Sequence, residues 1–138
     1  MNLFKNLAIS LLLGVFILMA NAASAEEGGG KAAEEGKELL AKVDAIVVNL
    51  MGPSQQYVQV EMTLKLVKPE VGEKVKLYMP VIRHKMILLL TTKEASQLTP
   101  TEGKQKLVLE SRDAINQALG LTEKEGVADV LFSSFIIQ

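Results

Sequence analysis

From Tyr57 to Val67 the chain alternates without a break: Val58, Val60, Met62, Leu64 and Leu66 fall on one side, and Gln59, Glu61, Thr63 and Lys65 on the other. A period of two is the side-chain spacing of a strand, so this stretch predicts one long strand with a buried face and a wet face, as in an antiparallel sheet. The period then changes to about 3.6. Val71, Val75, Tyr78, Ile82, Met86 and Leu89 advance by fours and threes and share one helical face. Pro80 interrupts that helix, with a break or kink near Leu77 to Met79 or a second helix that begins at Pro80.

The remaining elements follow from shorter signals. Val43 to Leu50 is rich in β-branched residues and is closed by Gly52-Pro53-Ser54, which predicts a first strand and a turn. Thr99-Pro100-Thr101-Glu102 reads as a helix start, with Thr99 as cap, Pro100 in the first turn and Glu102 completing a capping box. That helix turns Leu107, Ser111, Ile115, Ala118 and Leu119 inward, and Gly120 offers its stop. Val127 to Gln138 has apolar residues on both faces and predicts a central final strand covered by helices on one side. The order β-β-α-α-β defines an α+β domain, a small antiparallel-rich sheet with helices on one face.

The N-terminus obeys different rules. Lys5 precedes Leu7 to Ala20, which holds no charge, and Ala23-Ser24-Ala25 supplies the small-x-small spacing of a signal-peptidase site. A helix over those ~14 apolar residues covers ~21 Å of a hydrocarbon core of ~30 Å; extension to Ala25 gives ~19 residues. Residues 1–25 therefore read as a signal peptide cleaved after Ala25 or as a single-pass anchor. Apolar on every side, they have no stripe by which to pack as a core helix. Lys5 inside and Glu26 and Glu27 outside orient both readings alike, with the rest of the chain exported. Residues 26–42 begin with EEGGGKAAEEGK and read as a flexible linker with a helical or irregular lead-in at Glu38 to Lys42, which leaves 43–138 as the folded domain.

Composition narrows the function. The chain has no cysteine and one histidine, which disfavours disulfides, zinc and haem. Its net charge of −1 is too balanced for a nucleic-acid binder, and the absence of Trp weakens any stacking platform. His84, between Arg83 and Lys85, reads as a solvated helical residue. Ser133 and Ser134 lie in a strand pattern, and a triad would have to recruit that one histidine. Glu34-Glu35 and Glu123/Glu125 lack an apolar pocket, and Gly28-Gly29-Gly30 lacks the Lys-Ser/Thr of a phosphate loop. No catalytic, cofactor-binding or metal-ligating residue is assigned, and neither a cofactor nor a small-molecule substrate is expected. Ile87 to Leu90 is different: four apolar residues in succession on one helix cannot all face one sheet, so an exposed Ile87 or Leu88 would offer a subunit contact. Homo-oligomerisation is expected through this helix and an edge of the sheet.

Several of these pieces occur together in one family. Ile46-Val47-Val48-Asn49-Leu50, the alternating run from Tyr57 to Leu66, Pro80-Val81-Ile82-Arg83 leading to Ile87–Leu90 and Thr91-Thr92-Lys93, Leu98 to Lys104, and Val130 to Gln138 stand in the order found there. Over about Asp44 to Gln138 the chain resembles the flagellar basal body-associated FliL family. The resemblance implies a stomatin-like fold at the periplasmic face of the bacterial inner membrane. It also implies ring assembly around the motor's stator units and a non-enzymatic part in flagellar rotation, motility, swarming and chemotaxis. Usual members carry a cytoplasmic tail and a clear transmembrane helix. The shorter apolar run here departs from that, and cleavage would make the domain a soluble periplasmic relative.

Overall fold

The computed structural model describes residues 39–138. The expected signal or anchor segment, the Gly28–Gly30 run and the Glu34-Glu35 pair lie outside them. The alternation at Tyr57–Leu66 forms β2, the middle of a three-stranded antiparallel sheet flanked by β1 (Leu40–Asn49) and β3 (Val127–Ile137). Between β2 and β3 run α1 (Glu70–Leu77), α2 (Met79–Thr91), the one-turn α3 (Ala95–Leu98) and α4 (Thr101–Leu119). The fold is α+β, and the core lies between one face of the sheet and the helices.

Register shows how the sheet chooses that face. Val58, Val60, Met62, Leu64 and Leu66 of β2 are buried, and their partners on β3 are Ile137, Phe135, Phe132, Val130 and Val127. Those β3 residues are spaced by threes and twos, because Ala128 and Ser133 are each an extra residue opposite β2. The two shifts put apolar residues of both phases on the core side. This is why β3 looks two-faced in sequence and central, whereas it is an outer strand and β2 is the central one. A third bulge interrupts β1: Val43 pairs with Met62 and Ile46 with Val60, which leaves Asp44 and Ala45 opposite Glu61 alone. The strand also starts at Leu40, where a helical or irregular lead-in is expected; Leu40 to Lys42 pair with Lys65 to Thr63.

The helical stripe closes over this face. Val71 and Val75 of α1, Ile82, Met86 and Leu90 of α2, and Leu107, Ile115 and Leu119 of α4 are all buried. Leu90 takes the place expected for Leu89, which is half-buried, and Tyr78 is exposed at the break. Pro80 has no N–H to continue α1 and its ring would strike the preceding turn, so the helix stops at Leu77. Tyr78 serves both sides of the break: its N–H donates to the Lys74 carbonyl, and its own carbonyl accepts from the Ile82 N–H, both at 2.9 Å.

The start of α4 differs from the expected capping box. Pro100 is the N-cap, no side chain caps the helix, and the Thr99 hydroxyl donates backward to the Ala95 carbonyl at 2.7 Å. Thr99 instead ends α3, whose own box pairs Glu94 with Gln97. The first turn of α4 passes so close to α3 that a Cβ on Gly103 would overlap the Gln97 carbonyl. At its other end α4 closes on Gly120, whose φ of 66° is the left-handed conformation that glycine adopts without strain. Asn116, buried in the last turn, donates from Nδ2 to the Val127 carbonyl and accepts from the Val127 N–H, both at 2.8 Å.

Candidate interaction surface

Helix α2 is apolar on more of its circumference than the core can use. Ile82, Met86 and Leu90 face inward, yet Val81, Ile87 and Leu88 are 41%, 39% and 51% exposed. Its thirteen residues hold Arg83, His84 and Lys85 and no acid. The outer side of α2 is therefore an apolar strip with basic neighbours, and the Ile87–Leu90 run divides between core (Leu89, Leu90) and solvent (Ile87, Leu88).

Three contacts hold this strip in place. The β1 bulge leaves two successive carbonyls off the ladder to β2, and Arg83 takes both: Nη1 donates to the Asp44 carbonyl at 3.0 Å and Nη2 to the Ala45 carbonyl at 3.1 Å. A planar guanidinium fits this task because its two N–H groups are fixed in one fork. At the far end of α2 the Met51 N–H donates to the Lys93 carbonyl at 2.8 Å, fastening the β1–β2 hairpin to the helix exit. The Lys93 ammonium lies 2.6 Å from Oε2 of Glu110 on α4, an ion pair at contact distance whose angles fall outside those of a hydrogen bond. Both side chains are largely shielded, which spares this pair some of the screening that an exposed one suffers.

The remaining sequence candidates are scattered. His84 is exposed on α2, and Ser133 and Ser134 sit on β3 with Ser134 opposite Glu61. Glu123 is held by Arg112 at 2.8 Å, and Glu125 accepts from the Thr122 hydroxyl at 3.0 Å. These groups do not converge, and among the described residues no three His, Asp or Glu side chains are grouped as metal ligands. The sheet face away from the helices presents Gln59, Glu61, Thr63 and Lys65 along its middle, with Leu40, Val47, Leu131 and Ile136 exposed on the outer strands. Sequence reasoning missed Arg83 as a structural clamp. The signal, a basic residue one position after buried Ile82, has meaning only once the bulge is known.

Comparison with known proteins says to which family this domain belongs. The model of the flagellar basal body-associated protein FliL family matches residues 40–138, and the chain belongs to that family. The flagellar protein FliL of Escherichia coli K12 is 29% identical over 97 residues, which is 70% of this chain and 62% of that protein. The FliL of Aquifex aeolicus is 32% identical over 93 residues, 67% of this chain and 56% of its own length. The chain thus matches somewhat less than two thirds of the curated relatives' length.

Proposed function

We propose that this chain is a non-enzymatic component of the flagellar basal body whose folded domain works on the periplasmic side of the inner membrane, contacts the stator units and supports rotation, motility, swarming and chemotaxis. Family membership across 40–138 supports the setting, and the α2 surface supports the mode of action. A helix clamped by Arg83 and Lys93, with Val81, Ile87 and Leu88 turned outward, is a preorganised contact. Little side-chain or loop freedom is left to lose on binding. The strip serves contact between copies or with a stator segment, and the stomatin-like assembly implied by the family belongs to this reading.

The bulges refine how copies meet. Arg83 occupies the β1 carbonyls at one outer strand, and Ala128 and Ser133 kink the other. Blunted edges of this sort resist strand addition, which directs association to the helix rather than to sheet edges. Deletion of the gene is expected to abolish or weaken swimming and swarming, with restoration by the wild-type chain and not by Leu88→Glu. Unchanged motility of the deletion strain at every load would exclude the motor role. The Ala23-Ser24-Ala25 spacing favours a second reading, a freed periplasmic adaptor without a motor role. Intact-mass measurement separates the two attachments: a mature chain beginning at Glu26 is freed, and one retaining the apolar segment is anchored.

A further inference from the structure

The end of the domain where the chain enters carries a second exposed apolar group, apart from the α2 strip. Leu77 and Tyr78 form the elbow between α1 and α2, and Leu77 is 76% exposed, more than any other exposed large apolar side chain of the described residues. Leu40 and Val67 are exposed at the same end, where the Leu66 N–H donates to the Leu39 carbonyl. A cleft of about 630 Å³ beside the elbow is lined by Leu40 and Met79, with Lys42 and Lys76 among the charged residues. Glu70 and Glu73 line it too, and Glu73 is tied to Lys76 at 3.1 Å. Lys42 together with residues 65–78 supplies five lysines (42, 65, 68, 74, 76) against those two glutamates. Of the other acids bordering this end, Asp129 stands opposite Lys65, Glu125 lines a second cleft with Lys68 and Lys74 and accepts from the Thr122 hydroxyl, and Glu123 is held by Arg112.

We propose that this elbow docks on the surface of an anionic phospholipid bilayer, with Leu77, Tyr78 and Leu40 at the level of the headgroups and the lysines on lipid phosphates. Two observations select a bilayer over another protein. This end combines the exposed Leu77, Tyr78 and Leu40 with Lys42 and Lys76 at the adjoining cleft, apolar and aromatic side chains next to basic ones, the composition that settles at a lipid–water boundary. In addition, only the fourteen residues Glu26 to Leu39 separate Ala25 from Leu40. Even fully extended they reach at most about 50 Å, so in a chain anchored by its apolar segment Leu40 lies no farther than that from the lipid. The inference rests on the membrane attachment proposed above and adds a second contact made by the folded domain.

The chain has no cysteine, so Leu77→Cys, Leu40→Cys and Val47→Cys each give a single labelling site in the full-length protein. Val47, on the open sheet face toward the hairpin end, is the control. In vesicles of phosphatidylcholine with phosphatidylglycerol, an environment-sensitive label at Leu77 or Leu40 is expected to shift blue and be quenched several-fold more by headgroup nitroxide lipids than a label at Val47. Omission of phosphatidylglycerol or addition of salt should weaken the effect. A Leu77 label that behaves like the Val47 label on vesicle-bound chain overturns the proposal, as does a blue shift that grows with protein concentration without lipid, which assigns the elbow to a second copy. An alkaline carbonate wash reads the attachment separately. Release of chain whose elbow was quenched counts against the anchor and for docking. Retention with an unquenched elbow does the reverse, and chain that never floats with vesicles removes both.

Discussion

Helices α2 and α4 lie side by side on the same sheet face, and each is pinned by one side chain to the backbone of an outer strand, yet they are built on opposite plans. In α4 the inward stripe is Leu107, Ser111, Ile115 and Leu119, and the outer side is mostly polar, with Leu109 the one large apolar residue exposed. In α2 the inward stripe is comparable, but the outer side keeps Val81, Ile87 and Leu88. An exposed apolar side chain adds little to folding, since it leaves water only in part. The outer side of α4 suits solvent; α2 exposes more apolar surface than α4 does, and that excess is the contact surface proposed above.

The pins differ in the same sense, and the largest expected effect comes from the buried one. Asn116 satisfies both polar groups of Val127 at a site closed to water. Asn116→Ala leaves a buried N–H and carbonyl without partners, and such groups cost roughly 1–3 kcal/mol each. We expect a loss of about 3 kcal/mol by denaturant unfolding, with a Tm lower by on the order of 15 °C. A loss near zero would mean that water reaches Val127 and that α4 is no more firmly held than α2.

Arg83 sits at the more exposed pin, where water can replace the guanidinium on at least the Asp44 carbonyl. Arg83→Ala should therefore cost less, about 1 kcal/mol. Arg83→Lys should recover under half of that, because one ammonium cannot span two adjacent carbonyls as a fork does. Full recovery with lysine would reduce the clamp to simple charge. Hydrogen exchange at the α2 amides should rise in both variants, and the amides of α4 should not follow.

These contrasts also show what was legible in the sequence. The β2 alternation, the Pro80 break and the Gly120 stop could be read directly, because each depends on local geometry that a few residues decide. The three bulges could not. At Asp44-Ala45, Ala128 and Ser133 the side-chain phase slips by one, which is visible only against a partner strand. That slip made β3 look central and hid the reason for Arg83. Thr99 misled for another reason: the residues of a capping box were present, but Pro100 took the cap position and the hydroxyl found the nearer Ala95 carbonyl. The exposed strip on α2 was largely legible. Four apolar residues in a row announced an excess and pointed to Ile87 or Leu88; that both are exposed, and Val81 with them, depended on how much of the helix the core had room for.

The smallest expected effect on stability is the one that most sharpens the contrast. Leu88 and Leu90 are two positions apart on α2 and chemically identical, but Leu90 is fully buried and Leu88 is 51% exposed. Leu90→Ala opens a cavity in the core and should cost about 3 kcal/mol. Leu88→Glu replaces a half-exposed side chain with a good helix former on a helix without acids, and should change stability by less than about 0.5 kcal/mol. If the apolar strip is a contact, the second variant nevertheless loses association, read by sedimentation of the full-length protein as a shift toward monomer or as loss of a co-sedimenting stator fragment. Near-native stability together with lost association is the combination expected for a residue kept for a partner. A stable Leu88→Glu protein that associates as the wild type would return α2 to the plan of α4 and make its outer apolar residues incidental.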